Sequence, residues 1–162
     1  MKKSNVRASE VTLQEMQDLA PICAFNNLRV ISRLVERLYD EAFRSANISA
    51  SQVALLWTVL AAEPVSMKSL TSFMSADQTT LSRVVARAIE MKLLALKKDG
   101  ADGRIKLISL TALGREKLCE IYSPWKHVQD EVAQMFDLET PRKMARKARQ
   151  HEKASSARVQ VS

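Results

Sequence analysis

The chain has 162 residues, enough for one folded domain with a sizeable core and too few for two large ones. Apolar residues make up 46% of it but aromatic residues only 5%, a balance that is typical of helical proteins and argues against an all-β fold. The net charge of +7 predicts an acidic partner. No apolar run approaches the length of a membrane span and the basic N-terminal stretch has no apolar segment behind it, so we expect a cytoplasmic protein without a membrane segment.

The cysteines and histidines give no sign of a metal site or of catalysis. Cys23 and Cys119 lie far apart, and only His127 and His151 could join them. The sequence contains no glycine-rich phosphate loop and none of the motifs of serine hydrolases or zinc proteases. We therefore expect a protein that is not an enzyme and that has no metal and no cofactor.

The first predicted element is a long amphipathic helix. Apolar residues recur at three- and four-residue steps from Phe25 to Ala42. The helix should begin near Pro21, because a first helical turn tolerates proline, and should end near Arg44. The preceding residues, 1–20, form a polar leader.

The next two helices carry capping signals. Ser49, with Gln52 three residues later, predicts a capping box, and the helix that follows should end near Pro64. Ser66 predicts the cap of a short helix that extends through Met74.

A further helix should begin at Gln78, with Asp77 as its cap. Two helices joined by a tight turn make a helix-turn-helix candidate. In the second of them, apolar residues share one face and short polar or basic residues share the other. The side chains that could bond base edges or phosphates are Gln78, Thr79, Thr80, Ser82, Arg83 and Arg87.

A β-hairpin is predicted next. The β-prone runs Leu93–Lys98 and Ile105–Leu110 flank residues 99–103, whose glycines and aspartates suit a hairpin tip. We call this hairpin the wing. Thr111 then predicts the cap of a last long helix, which Pro124 could kink.

The predicted fold is mainly α, a winged helix-turn-helix with a small β-hairpin wing and flanking N- and C-terminal dimerisation helices. Each flanking helix has an apolar face that is larger than the small central unit can cover, so we expect a homodimer in which a second copy buries this surface. The predicted segments are a leader at 1–20, a first dimerisation helix at 21–48, the winged helix-turn-helix at 49–111, a long dimerisation helix at 112–139 and a basic helix or tail at 140–162.

The wing and the residues after it resemble a known family. Asp102-Gly103-Arg104 followed by Ile108–Gly114 (ISLTALG) is similar, at every spacing, to the D-x-R…V-x-L-T-x-x-G pattern of the multiple antibiotic resistance regulator (MarR) family of bacterial winged-helix repressors. Asp77–Arg83 resembles the start of the family's recognition helix, and the stretch from Cys23 to Asp40 resembles the first helix of one branch. The resemblance covers roughly residues 22 to 135.

Three positions depart from the family pattern. A glycine is usual where Lys92 lies, a small residue where Ile105 lies, and a basic residue where Leu96 lies. These departures concern the geometry of the wing and not the fold.

The resemblance implies a transcriptional regulator, usually a repressor, whose partners are duplex DNA and a small aromatic or phenolic effector. A dimer would present two recognition helices about one DNA turn apart, which predicts a pseudo-palindromic operator. Arg104, held by Asp102, would enter a narrow minor groove. Phosphate contacts would come from Lys97, Lys98 and Lys106.

The sequence also offers candidates for regulation. Residues that could line an effector pocket are Phe25, Arg29, Trp57 and Trp125, although aromatic residues at helical spacing are more often core. Cys23, near a helix N-terminus that favours a thiolate, gives an alternative: a peroxide-sensing regulator of the same fold. In that case Cys23→Ser should abolish the release of DNA by peroxide.

Two alternatives stay open at this stage. A winged-helix module that contacts protein and not DNA is the main rival, and it predicts that Arg83 and Arg104 substitutions leave DNA binding untouched. The seven basic residues after Pro141 could touch the flanks of the DNA site or keep the chain soluble, and the composition slightly favours solubility.

Overall fold

The computed structural model describes residues 12–98 and 105–159. The chain divides into two compact units, Met1–Arg37 and Leu38–Ser162. Among the described residues, no helix combines the length and the hydropathy that crossing a membrane requires.

The first unit contains a helix that the sequence analysis did not predict. Helix α1 spans Leu13–Leu19, inside the predicted polar leader, and a 3-10 turn follows at Ala20–Ile22. The Thr12 side chain accepts a hydrogen bond from the Glu15 backbone N–H, and the Glu15 carboxylate accepts one from the Thr12 N–H. This reciprocal cap starts the helix.

Helix α2 spans Ala24–Ala42 and begins later than predicted. Pro21 lies in the 3-10 turn, where its carbonyl accepts a hydrogen bond of 2.8 Å from the Asn27 side chain. The turn therefore precedes the helix and does not form its first turn. Large apolar side chains of α2 that remain exposed are Phe25, Leu28, Val30, Ile31 and Leu34.

The second unit holds the predicted helix-turn-helix and wing, in the expected order. Its three strands form one antiparallel sheet in the order β1-β3-β2. The elements after α2 are a 3-10 turn (Arg44–Ala46), α3 (Ala50–Ala62), β1 (Val65–Ser66), α4 (Met67–Met74), α5 (Gln78–Glu90), β2 (Leu94–Lys98), β3 (Lys106–Leu110), α6 (Ala112–Met135) and α7 (Glu139–Val159).

The four predicted caps of this unit are confirmed. Ser49, Ser66, Asp77 and Thr111 each accept a hydrogen bond from a backbone N–H three residues further on, at 2.8 to 3.2 Å. Gln52 completes the capping box at Ser49. Because each cap satisfies an otherwise unpaired N–H, the helices α3 to α6 begin where the sequence predicts.

The core of the unit lies between α3, α5 and the sheet. Strand β1, which the sequence analysis missed, adds to it by placing Val65 opposite Ile108 of β3. Side chains that are almost completely buried there are Leu55, Leu56, Val59, Leu70, Leu81, Ile108 and Ile121.

Helix α5 ends in a left-handed turn at Lys92, whose φ is 59°. The Leu93 N–H donates to the Ala88 carbonyl and the Lys92 N–H to the Ile89 carbonyl, both at 2.9 Å. This is a Schellman motif, in which glycine is preferred at the left-handed position. The lysine that departs from the family pattern thus adopts the conformation for which glycine is favoured.

The same turn contacts the start of α6. The Thr111 hydroxyl donates to the Lys92 carbonyl at 2.6 Å, and the Thr111 N–H donates to the Leu93 carbonyl at 3.1 Å. A Cβ at Gly114 would lie 2.2 Å from the Leu93 oxygen and 3.0 Å from Leu110 Cδ2. Only glycine fits, so the T-x-x-G sequence joins the end of α5 to α6.

A second connection runs through Glu63, at the end of α3. Its carboxylate accepts a hydrogen bond of 2.7 Å from the Leu110 N–H and forms an ion pair with Arg115. Glu63 therefore joins α3 to both β3 and α6.

Helix α6 continues through Pro124, and α7 is helical from Glu139 to Val159, where the sequence predicted a basic helix or tail. Near the end of α2, the Tyr39 hydroxyl donates to the Gln129 side chain of α6 at 2.5 Å. Burial raises the pKa of the Tyr39 hydroxyl above its ordinary value, so it stays protonated and able to donate at neutral pH.

We expect Gly114→Ala to destabilise the protein by about 2 kcal/mol or more, because the added methyl group would meet a backbone carbonyl that cannot move aside. Urea unfolding followed by circular dichroism measures the loss. The matched control is Glu116→Ala, at an exposed position of the same helix, which should change stability by less than about 0.5 kcal/mol. Equal stability of Gly114→Ala and the control would contradict the close approach.

We expect Lys92→Gly to stabilise the protein by roughly 0.5–1 kcal/mol, because glycine adopts a positive φ without the steric cost that lysine bears. Lys126→Gly, at an exposed position inside α6, should have the opposite sign, since glycine weakens a helix interior. Thermal unfolding of both variants tests the pair. A loss of stability in Lys92→Gly would show that the left-handed turn is wrong.

Candidate nucleic-acid interface

Helices α4 and α5 are joined by the tight turn of a helix-turn-helix. Ser75 adopts a left-handed conformation with φ of 48°, and Ala76 follows it. Leu70 of α4 and Leu81 of α5 are both almost completely buried. This pair anchors α5 by its inner face, so that the opposite face points to solvent.

The outward face of α5 carries the polar residues that the sequence singled out. Their side chains are exposed except for Ser82, which is half-buried. The structure brings together, on this one face, Gln78, Thr79, Thr80, Ser82, Arg83 and Arg87.

The first turn of this face is held by Asp77. Its carboxylate accepts a hydrogen bond of 2.8 Å from the Thr80 N–H. Hydrogen bonds from Thr80, first its side chain and then its backbone N–H, lower the pKa of Asp77 below its ordinary value. The cap is therefore ionised at neutral pH, and its contribution to stability is lost as the pH falls through that lowered pKa.

The two arginines of α5 differ in their surroundings. Arg87 forms an ion pair of 3.1 Å with Glu90, one turn further along the helix. Arg83 is exposed, and no carboxylate in the described part of the chain lies within ion-pair distance of it. Arg83 is therefore the freer cation of the two for an anionic partner or a base edge.

The wing strands add a second cationic surface. Lys97, Lys98 and Lys106 are exposed, and Lys98 lies directly opposite Lys106 in the β2–β3 register. Like charges on opposed strand positions repel each other. An anion between them would remove this repulsion, so the end of the wing strands that adjoins residues 99–104 is suited to phosphate. The predicted minor-groove residues, Asp102 and Arg104, lie outside the described residues.

A groove between α3 and α6 is the candidate effector site. Trp57 contacts Trp125, with ring centroids 4.8 Å apart, and Trp125 stacks on Tyr122 at 6.3 Å. The Trp57 Nε1 is buried and has no hydrogen-bond partner among the described residues. The groove has a volume of about 430 Å³ and is lined by Trp57, Leu60, Arg115, Leu118, Cys119 and Tyr122.

The sequence analysis identified one wall residue of this groove, Trp57, and its neighbour Trp125. It missed the α6 side of the groove, although the steps of three and four residues from Arg115 to Tyr122 would have placed these residues on one helix face. Phe25 and Arg29, the other two candidates, belong to the first compact unit, where both are exposed.

The candidate redox residue, Cys23, directly precedes α2. Its carbonyl accepts the first hydrogen bond of that helix, from Asn27 at 3.0 Å, and its side chain is exposed. Cys119 is also a free exposed thiol. Redox sensing by Cys23 stays a prediction.

Comparisons with known proteins agree with this geometry. Residues 48–114 match the family model of a winged helix DNA-binding domain. The transcriptional regulator MosR from M. tuberculosis, solved in complex with DNA, is 28% identical with a TM-score of 0.72, over 82% of this chain and 98% of that one. No curated protein sequence matches the chain.

Two more distant structures share the fold. MepR from S. aureus, in complex with DNA, is 20% identical with a TM-score of 0.65, over 82% of this chain and 97% of that one. A mutant of MarR from E. coli, complexed with operator DNA, is 18% identical with a TM-score of 0.72, over 85% and 99% of the two chains. The helix-turn-helix, the three-stranded sheet and these similarities together show that residues 48–114 form a winged helix DNA-binding domain, in a chain whose fold is similar to those of MosR, MepR and MarR.

Proposed function

We propose that the chain represses transcription as a homodimer that binds a pseudo-palindromic operator, with α5 of each protomer in the major groove. The observation that carries the proposal is the outward face of α5, where Arg83 has no carboxylate partner among the described residues and lies beside short polar side chains. Arginine pairs with guanine in bidentate fashion, and glutamine, here Gln78, pairs with adenine. The structure of MosR in complex with DNA supports DNA as the partner of this chain.

The lysines at the tip end of the wing strands would contribute affinity. Lys98 and Lys106 repel each other in the free protein, and a phosphate placed between them would relieve that repulsion. Such contacts raise affinity without specifying sequence. They also make binding dependent on salt, because each neutralised phosphate releases counterions.

A homodimer would cover apolar surface that the first unit leaves open. Leu13, Met16 and Leu19 of α1 are at least half exposed, and so is Phe25 of α2. A single soluble chain rarely exposes so many large apolar side chains on two successive helices. An isologous pair would also place two copies of α5 about one DNA turn apart, which fits half-sites about 10 base pairs apart, centre to centre.

The effector we propose is a small aromatic or phenolic molecule bound in the α3–α6 groove. The walls of the groove are apolar and aromatic, and Arg115 supplies one cationic group at its edge. The Trp57 Nε1 is a buried donor without a partner in the described residues, so a ligand oxygen could accept its hydrogen bond only after the side chains that cover it shift. Pockets of this kind combine apolar walls with a few polar groups that orient the ligand.

We expect Arg83→Ala to weaken binding to the selected operator by about 10- to 100-fold and to reduce the preference over random duplex. Lys98→Ala should weaken operator and random DNA equally and reduce the salt slope by about 0.9 per lost contact. A salt titration by fluorescence anisotropy, on a site found by random-site selection, measures both effects.

The matched control for this titration is Lys126→Ala, which removes one exposed cation from α6 and should leave the preference unchanged. If Arg83→Ala kept the full preference, the placement of α5 in the major groove would be wrong. If the wild type bound no duplex selectively, the protein-contact alternative would replace the regulator.

We expect an aromatic carboxylate such as benzoate to change the tryptophan fluorescence, because the chain's two tryptophans, Trp57 and Trp125, pack together at the groove. Leu60→Glu, which places a like charge at an exposed wall position, should weaken this response at least tenfold. Leu113→Glu, also exposed but outside the groove, is the control. An equal response in both variants would place the ligand elsewhere.

A further inference from the structure

Helix α7 carries its positive charge on one side. Five cations fall within eight residues, and at 3.6 residues per turn all of them lie on one half of the helix. Arg142, Arg146 and Arg149 form a single row at steps of four and three residues, with Lys143 and Lys147 beside it. We call these five residues the α7 basic face.

Among the described side chains, one carboxylate compensates part of this charge. Arg142 and Lys143 share one carboxylate, Glu139, at 3.6 and 3.9 Å. Among the side chains that the structure describes, which end at His151 on this helix, Arg146, Lys147 and Arg149 have no ion-pair partner, and they are exposed. Three adjacent cations therefore repel one another across one helix turn, and a partner with closely spaced negative charges would offset that repulsion.

The opposite side of α7 limits what this partner can be. It presents Pro141, Met144, Ala145 and Ala148, of which Met144 alone is large, and Met144 is 47% exposed. A helix that lies in a membrane surface needs bulky apolar residues opposite its cations. A helix that packs on another protein needs a broader apolar stripe. The composition of α7 is therefore that of a helix that binds its partner through charged side chains and not through apolar contacts.

We propose that the α7 basic face binds the backbone phosphates of duplex DNA on the flanks of the operator. The inference rests on the proposed function, because α5 and the wing bring the duplex to the same chain and so give α7 a high effective concentration of phosphate. Arginine and lysine contacts of this kind are independent of base sequence. They lengthen the DNA that one dimer protects without changing the site that it recognises.

The test compares two duplexes that contain the same selected operator, one ending at the operator and one extended on each side by about one DNA turn of arbitrary sequence. The variant R146Q/K147Q/R149Q removes the three cations that have no ion-pair partner among the described side chains. Two controls accompany it: R146K/R149K, which keeps the charge, and A145Q/A148Q, which alters the opposite face of the same helix. Far-UV circular dichroism checks that each variant retains its helix content.

We expect the wild type, R146K/R149K and A145Q/A148Q to bind the extended duplex more tightly and with a steeper salt slope than the short one. The triple variant should lose this difference, its slope on the extended duplex falling by about 0.9 for each phosphate contact removed. On the short duplex it should bind like the wild type.

Two results would overturn the inference, and they are distinct. Equal binding of wild type and triple variant to the extended duplex, with operator preference intact, would remove α7 from the DNA contact and leave the proposed function standing. Absence of any operator preference in the wild type would overturn the proposed function itself, and the inference with it.

Discussion

The contact between the turn at Lys92–Leu93 and the start of α6 is the constraint on which the rest of the second unit depends. Four segments meet there: the end of α5, the start of β2, the end of β3 and the first turn of α6. Thr111 caps α6 and bonds the turn with its hydroxyl, and Gly114 lets the helix approach the Leu93 carbonyl closely. The position of α5 relative to the wing is therefore set by hydrogen bonds to backbone carbonyls and by a close approach to the backbone, which tolerate far less variation than side-chain packing does.

This rigid frame presents charge on two separate surfaces. On α5, the charge is sparse and lies among short polar side chains, an arrangement that suits the reading of base edges. On the wing strands, Lys98 and Lys106 oppose each other, an arrangement that favours phosphate and costs stability in the free protein. Because the cations are divided between α5 and the wing strands, the net charge predicts an acidic partner. It does not predict which side chains would give a winged-helix protein its specificity.

Signals between residues close in sequence, such as helix caps, predicted the elements of the second unit well and those of the first unit poorly. The caps at Ser49, Ser66, Asp77 and Thr111 depend on neighbouring residues only, so their signals are visible in sequence. Strand β1 has only two residues, too few to show the alternation of apolar and polar residues that marks a strand. It forms because it can pair with the free edge of β3. The left-handed Lys92 was visible as a departure from a family pattern, but its conformation depends on the contact with Thr111, which is distant in sequence. Helix α1 was missed although its capping pair, Thr12 with Glu15, and the three-residue spacing of Leu13, Met16 and Leu19 are local signals too.

The groove and the wing are connected through one carboxylate. Glu63 accepts a hydrogen bond from the Leu110 N–H at the end of β3 and also pairs with Arg115, which lines the groove. A ligand carboxylate that engaged Arg115 would compete with Glu63 for the same guanidinium. Glu63 would then hold Leu110 without its cationic partner, at a side chain only 15% exposed, where an unpaired charge is costly. Ligand binding at Arg115 would thus destabilise the contact between Glu63 and β3, the strand that carries Lys106. Through this contact an effector in the groove could change the affinity of the surface that we propose for DNA.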